Sequence, residues 1–224
     1  AESYYGWVNP QTSRIAVLLS RVYLDSGRVD FGIILAEKAL IGVELFPQLF
    51  SIEELTALGT YLSRAYERKK YFPYQHATIT RTFNLLKRRK TTAEEDPRYE
   101  QTYKECVFKL ENMLASSRFV QGDFVVAFTI FKKLNDQMEA DENFFEEWKE
   151  KDEVEATLEK AFMKYFRGAT LVRTGNIIGG IDSFEESREA FSEIERDDWV
   201  QQVDINISEA KQQMEKPPVP DINS

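Results

Sequence analysis

Apolar residues recur every three or four positions through much of this chain, which is the spacing of amphipathic α-helices. The clearest run predicts one apolar stripe on one helix, formed by Ile15, Leu18, Leu19, Val22 and Tyr23. The pair Asn9-Pro10 ahead of this run is a typical helix start. Gly27 is a typical helix end, because glycine takes the left-handed conformation at low cost. We therefore predict that this stripe packs into the core of a helical protein.

The pattern then repeats. The sequence Leu-Ser-Arg-Val-Tyr at residues 19–23 returns as Leu-Ser-Arg-Ala-Tyr at residues 62–66, an offset of 43 residues. A turn and a second apolar-periodic run follow each copy. A third copy emerges when Gly122 is aligned on Gly27, which places Leu114 on Leu19. Self-similarity at such spacings is the signature of stacked helical repeats.

These signals predict an all-α fold with about ten helices, stacked as antiparallel hairpins in a short solenoid. We expect an N-terminal extension at residues 1–8 and three helix pairs over 9–136. Degenerate helices should follow over 137–215, and an extended tail over 216–224, where Pro217, Pro218 and Pro220 cannot continue a helix. The glycine-rich stretch 175–180 lacks the spacing of a phosphate-binding loop and is predicted to be an ordinary interhelical turn.

Eight residues form the predicted structural signature of the repeat: Leu19, Tyr23, Gly27, Leu62, Tyr66, Leu114, Gly122 and Ala127. Their spacing resembles the signature of tetratricopeptide repeats, and the related pentatricopeptide pattern fits about as well. The spacing between copies departs from both families, at 43 and then 52 residues against about 34 in a regular repeat. The chain is also similar to the pentatricopeptide-type extra subunits of euglenozoan mitochondrial ATP synthase. That resemblance implies a subunit of a larger assembly in the mitochondrial matrix; a cytoplasmic protein is the alternative.

The composition of the chain argues against several classes of function. With one cysteine and one histidine the chain has no histidine-rich metal site, and no catalytic, metal-binding or cofactor-binding residues are predicted. No apolar run approaches the roughly 20 residues of a membrane span, so membrane insertion is not expected. The formal net charge of −9 makes nucleic-acid binding unfavourable. The chain opens at Ala1, as it would after removal of an organellar presequence or of the initiator methionine.

Two functional hypotheses remain. The first is a non-catalytic scaffold or assembly subunit that binds another protein along the first helix of each pair. The second is a pentatricopeptide-type protein that binds single-stranded RNA in an organelle, with reading positions at Val17, Thr60 and Asn112. The residues predicted to face a partner are Arg21, Arg64, Thr60, Glu67 and Asn112. Charge and repeat number favour the protein scaffold.

Overall fold

The computed structural model describes residues 10–90 and 97–215 of the chain. These residues form ten α-helices, one short 3-10 helix (Pro47–Leu49) and no strand, which confirms the all-α prediction. The helices are α1 (Pro10–Asp25), α2 (Val29–Leu45), α3 (Ile52–Arg68), α4 (Phe72–Lys90), α5 (Pro97–Val120), α6 (Phe124–Ala140), α7 (Glu142–Lys151), α8 (Glu153–Arg173), α9 (Ile177–Glu193) and α10 (Asp197–Glu215). The predicted extension at 1–8 and the predicted tail at 216–224 lie outside the described residues.

Five helix pairs are joined by the same kind of three-residue turn. The middle residue of each turn is left-handed: Gly27, Lys70, Gly122, Gly175 and Glu195. The residue after it donates its N–H to a carbonyl five positions back, as Arg28 does to Tyr23 at 2.8 Å and Asn176 does to Leu171 at 2.9 Å. This is the Schellman arrangement, which satisfies carbonyl groups at a helix end. Because these turns are equivalent, four hairpins can be aligned residue by residue on their left-handed turn residues. They are α1–α2, α3–α4, α5–α6 and α8–α9.

The turn at Gly175 corrects the prediction for residues 175–180. Only residues 174–176 form the turn, and α9 begins at Ile177, so Gly179 and Gly180 lie inside its first turns. Gly180 is needed there because α8 and α9 approach closely: a Cβ at Gly180 would lie 2.5 Å from Val172 Cγ2 and 3.0 Å from the Gly168 carbonyl oxygen. The glycines therefore mark a close helix crossing, and α8–α9 is a genuine fourth helix pair.

The chain divides into two compact units, Ala1–Leu114 and Ala115–Ser224, so the predicted boundary after residue 136 lies within the second unit. In the first unit α2 and α4 each pack on α3, around the fully buried Leu40, Leu58 and Leu62. In the second unit α8, α9 and α10 enclose Phe184 and Phe191. None of the described helices combines the length and the apolar character needed to cross a membrane.

Candidate protein-binding surface

The apolar stripe of α1 is exposed, which corrects the prediction that it packs into the core. Ile15, Leu18, Leu19 and Val22 are all solvent-exposed, and α1 instead buries Ser13, Ser20 and Leu24. The reason is the close approach of α1 to α2. A Cβ at Gly32 would lie 3.2 Å from the Ser20 carbonyl oxygen, and a Cβ at Gly42 would lie 2.0 Å from Ser13 Oγ. Only small side chains fit at this crossing, so the large apolar residues lie on the other side of the helix.

The second helix of this hairpin is apolar on both sides. Its inner side buries Ala36, Ala39, Leu40 and Val43, while four large apolar side chains on its other side are exposed. Those exposed residues are Phe31, Ile34, Ile41 and Leu45. They are spaced at three, seven and four positions, which places them on one helical stripe. An apolar stripe on a helix normally faces the protein core.

We call the two stripes together the outer face. It consists of Ile15, Leu18, Leu19, Val22, Phe31, Ile34, Ile41 and Leu45, each between 44% and 65% exposed. The Tyr23 and Phe31 rings join the stripes, with centroids 5.8 Å apart. On α1, Arg14 and Arg21 lie on a different side and contact Glu54 and Tyr61 of α3. The outer face therefore points away from α3. The exposed Lys38, four positions after Ile34 and three before Ile41, is the charged residue on this side of α2.

Behind the outer face, a polar network ties α2 to α3 and α4. The Tyr66 hydroxyl donates to Glu37 Oε1 at 2.8 Å. Arg81 donates to Glu37 Oε2 at 3.1 Å and to both carboxylate oxygens of Glu44, at 2.8 and 3.0 Å. Burial and the hydrogen bond to Glu37 raise the pKa of Tyr66, so its hydroxyl stays a neutral donor. Hydrogen bonds to Glu44 and Glu37 raise the pKa of Arg81.

The predicted partner residues divide into two groups. Arg21 and Arg64 are exposed; Arg21 forms an ion pair with Asp25 at 3.7 Å and lies 5.7 Å from the centroid of the Tyr61 ring. Because Arg64 follows Tyr61 by three positions, the two arginines share one side of α1 and α3.

The other predicted partner residues are less accessible. Thr60 and Glu67 are half-buried, and burial raises the pKa of the Glu67 carboxyl. Asn112 is only 4% exposed, which corrects its assignment to a partner-facing surface. Val17 packs against the core of the first unit. The three positions expected to read RNA bases thus do not share an exposed surface.

The signature residues also differ in their surroundings. Tyr66 and Leu62 are buried, whereas Tyr23 is half-buried and Leu19 is exposed. In the second unit Ala127 is fully buried, as a small residue at a helix crossing should be, and Leu114 in the first unit is half-buried. Gly27 and Gly122 occupy left-handed turns, as predicted.

The second unit contains a polar cleft of about 720 Å³ between α6, α8 and α9. Inside it, Lys164 donates to Asn135 Oδ1 at 2.7 Å and forms an ion pair with Glu186. Asn135 in turn donates to Glu139 at 2.6 Å. These polar groups bind one another, which is the usual arrangement for a buried charge that stabilises a fold. The cleft is therefore a weaker candidate site than the outer face.

Comparison with known proteins finds no matching family model and no matching characterised protein. Among the described residues, no group of three or more histidine, cysteine, aspartate or glutamate side chains could hold a metal ion. The outer face is therefore the main evidence for function.

Proposed function

We propose that this protein is a non-catalytic assembly subunit, which holds another protein on the outer face of α1–α2. The observation that carries the proposal is the presence of eight exposed large apolar side chains on one hairpin. Large exposed apolar surfaces on a folded protein mark sites of interaction with other molecules. The exposed apolar residues of this hairpin are explained if another protein covers them.

The size and composition of the outer face fit a specific interface. A standard protein–protein interface buries about 800 Å² on each partner. Eight aliphatic or aromatic side chains, each with about half of its surface exposed, present an area of that order. Interface cores are depleted in charge, and Lys38 is the one charged residue of the α2 stripe. Isolated exposed apolar residues need no explanation, but eight large ones on a single hairpin do.

Electrostatics favours a protein partner over RNA. The chain carries a net charge of −9, which opposes association with a phosphate backbone. An apolar surface also lacks the cationic groups that neutralise phosphates. On the resemblance to pentatricopeptide-type subunits, we propose mitochondrial ATP synthase as the first assembly to test, and the matrix as the compartment.

The proposal is tested by purifying the full chain from its native cells under non-denaturing conditions. The double variant Leu18→Glu/Ile34→Glu places two carboxylates in the outer face, and Gln202→Glu on the exposed side of α10 is the matched control. We expect the wild type and the control to co-purify with the same complex, and the double variant to lose it. All three should show the same circular dichroism spectrum, because the substituted side chains are exposed.

Two results would contradict this function. The double variant could retain every partner in full yield, in which case the outer face does not bind them. Alternatively, the purified chain could bind single-stranded RNA with sub-micromolar affinity at physiological salt, which would favour the RNA-binding hypothesis. Migration with the ATP synthase on native gels separately tests the choice of assembly.

A further inference from the structure

The first two hairpins can be compared position by position. Their left-handed turn residues, Gly27 and Lys70, set an offset of 43 residues. At this offset, three residues of the outer face correspond to three residues of α3: Ile15 to Leu58, Leu19 to Leu62 and Val22 to Ala65. The first member of each pair is exposed, whereas the second is at most 1% exposed. Equivalent positions are thus open in the first hairpin and covered in the second.

The helix α2 covers this side of α3. Its residues Leu40 and Val43 belong to the same buried cluster as Leu58 and Leu62 of α3. The covering element is a single helix, and its apolar contact residues lie four and three positions apart, beginning at Ala36. The α1 stripe is therefore the same repeat interface, one hairpin earlier, without its covering helix.

The covering helix also reaches α4. Glu37 and Glu44 of α2 both accept hydrogen bonds from Arg81 of α4. Each of these glutamates comes directly after an apolar residue of the α3 contact, Ala36 or Val43. The helix α2 thus lies across both helices of the second hairpin, with an apolar contact to α3 and an ionic contact to α4.

In the first hairpin, the second helix is apolar where α4 is not. Ile34, Ile41 and Leu45 of α2 take the places of small or polar exposed residues of α4, which are Ala77, Asn84 and Arg88. Lys38, which is equivalent to Arg81, already has an interaction within the chain. A helix that lay across the first hairpin would therefore meet Ile34 and Ile41, one turn before and one turn after Lys38.

We infer that the outer face receives one helix of another polypeptide with a broad, uncharged apolar side, lying across α1 and α2 as α2 lies across α3 and α4. This inference rests on the proposed function and names the chemistry of the partner. Three aliphatic residues of the partner, four and three positions apart, pack on the α1 stripe. Two more, directly after the first and the third of these, pack on Ile34 and Ile41. The partner helix therefore has apolar residues at positions i, i+1, i+4, i+7 and i+8, a wide form of the helix-in-groove pattern.

A second copy of this chain is the alternative occupant. Each copy carries a net charge of −9, which opposes self-association. Pairing of two outer faces would also bring two hairpins together, whereas the repeat interface between α2 and α3 takes a single helix. Both points favour a helix of a different polypeptide.

The probes are three labelled peptides of 17 residues, the length of α2, with soluble helix formers outside the contact positions. The first keeps Ala36, Leu40 and Val43 at their α2 spacing and has leucine at the positions of Glu37 and Glu44. The second keeps glutamate at those two positions. The third has the composition of the first, permuted so that its apolar residues lie all round the helix. Fluorescence anisotropy with the full chain should show the first peptide binding at least about tenfold more tightly than either of the others.

Variants of the full chain then identify the residues involved. Ile34→Gln together with Ile41→Gln should remove the preference for the first peptide over the second, because the added leucines then meet amides. Leu19→Gln should weaken both peptides about tenfold, since both use the α1 contact. Ile205→Gln, at an isoleucine of α10 with the same 52% exposure as Ile34, is the matched control and should change neither affinity. Circular dichroism checks that every variant folds.

Salt provides an independent readout. The affinity of the first peptide should change by less than about twofold between about 50 and 500 mM salt, because its contact contains no ion pair to be screened. A steep fall in affinity with salt would show that charges carry the binding and would overturn the inference.

The outcomes separate this inference from the proposed function. If the three peptides bind equally, or if Leu19→Gln has no effect, the inference of an apolar helix is wrong. The proposed function still stands in that case if Leu18→Glu/Ile34→Glu abolishes co-purification of the native partner. If sedimentation shows a dimer that Leu18→Glu/Ile34→Glu dissociates, a second copy occupies the face and the inference is also overturned. If the double variant retains its native partners, the proposed function and the inference are both wrong.

Discussion

The Tyr66 hydroxyl donates a hydrogen bond to Glu37 Oε1 at 2.8 Å, and so joins the first helix of one hairpin to the second helix of the hairpin before it. Tyr66 is buried, and the carboxylate it binds is also held by Arg81. The equivalent tyrosine of the first hairpin, Tyr23, has only Phe31 as its aromatic neighbour among the described contacts. This difference leads to the first prediction.

Tyr66→Phe should lower the free energy of unfolding by about 1.5–3 kcal/mol, because it removes a hydrogen bond to a charged group and leaves Glu37 less well satisfied. Tyr23→Phe should change it by less than about 0.5 kcal/mol, as expected for a half-exposed hydroxyl. Urea denaturation of both variants and the wild type measures the two values. Equal losses would show that the two tyrosines have the same structural role.

Cys106 should be unreactive in the folded protein. Its side chain is buried, its Sγ donates to the Ile52 carbonyl oxygen at 3.8 Å, and burial raises the pKa of the thiol to about 11. Because the thiolate is the reactive form, a thiol reagent at pH 8 should modify the native chain slowly and the denatured chain at once. Fast modification of the native chain would contradict the burial of this side chain.

The same shift predicts a pH dependence of stability. The pKa of the Cys106 thiol is about 11 in the folded protein, above its ordinary value of 9.0. The stability that the buried, protonated thiol contributes is therefore complete below pH 9 and is lost as the pH rises through 11. Denaturation of wild type and Cys106→Ala from pH 8 to 11 measures it. The free energy of unfolding of the wild type minus that of Cys106→Ala should fall by about 2–3 kcal/mol across this range. Tyr66, whose pKa is also raised, contributes equally to both proteins and cancels. A constant difference would refute this assignment.

Lys70→Gly should stabilise the protein. Lys70 has a φ of +58° in the turn between α3 and α4, where the equivalent turns of three other hairpins have glycine. A left-handed conformation costs a residue with a Cβ about 1 kcal/mol relative to glycine. We expect the melting temperature to rise by about 2–4 °C, the usual shift for 1 kcal/mol in a chain of this length.

The reverse substitution is the control. Gly122→Ala should destabilise by a similar amount, because Gly122 has a φ of +83° and a Cβ there would meet no neighbouring atom. Only the backbone conformation is then penalised. A lower melting temperature for Lys70→Gly would indicate that the lysine side chain stabilises the turn.

The outer face should bind a hydrophobic dye in the absence of a partner. Ile15→Lys together with Ile34→Lys should reduce the fluorescence of an added naphthalene-sulfonate dye, because the apolar patch is then interrupted by two charges. The melting temperature should be unchanged, since exposed substitutions usually alter stability by less than about 0.5 kcal/mol. The same pair of substitutions at the exposed Gln201 and Gln202 of α10 serves as the control and should leave the dye signal unchanged. Unaltered dye binding in the first variant would show that the dye sites lie elsewhere.

The sequence by itself determined the helices and the turns that join them. Apolar periodicity, caps such as Ser51 and left-handed glycines such as Gly27 act within a few residues, because helix hydrogen bonds connect positions four apart. The register of the first three hairpins followed from the same local signals. The fourth hairpin could also have been found from Gly175 followed five positions later by Gly180, the spacing of Gly27 and Gly32. Gly179 lies beside Gly180, so the stretch also resembles a longer glycine-rich turn.

Only the tertiary structure decided which sides of these helices are buried. Hydrophobicity favoured burial of Ile15, Leu19 and Val22, yet α1 and α2 approach so closely that Ser20 and Gly32 occupy the contact instead. The burial of Asn112 and the pairing of Arg81 with Glu37 and Glu44 likewise depend on residues distant in sequence. A helix that is apolar on more than one side does not specify its own packing face. That choice depends on where small side chains allow two backbones to meet, which is a property of the packed helices together.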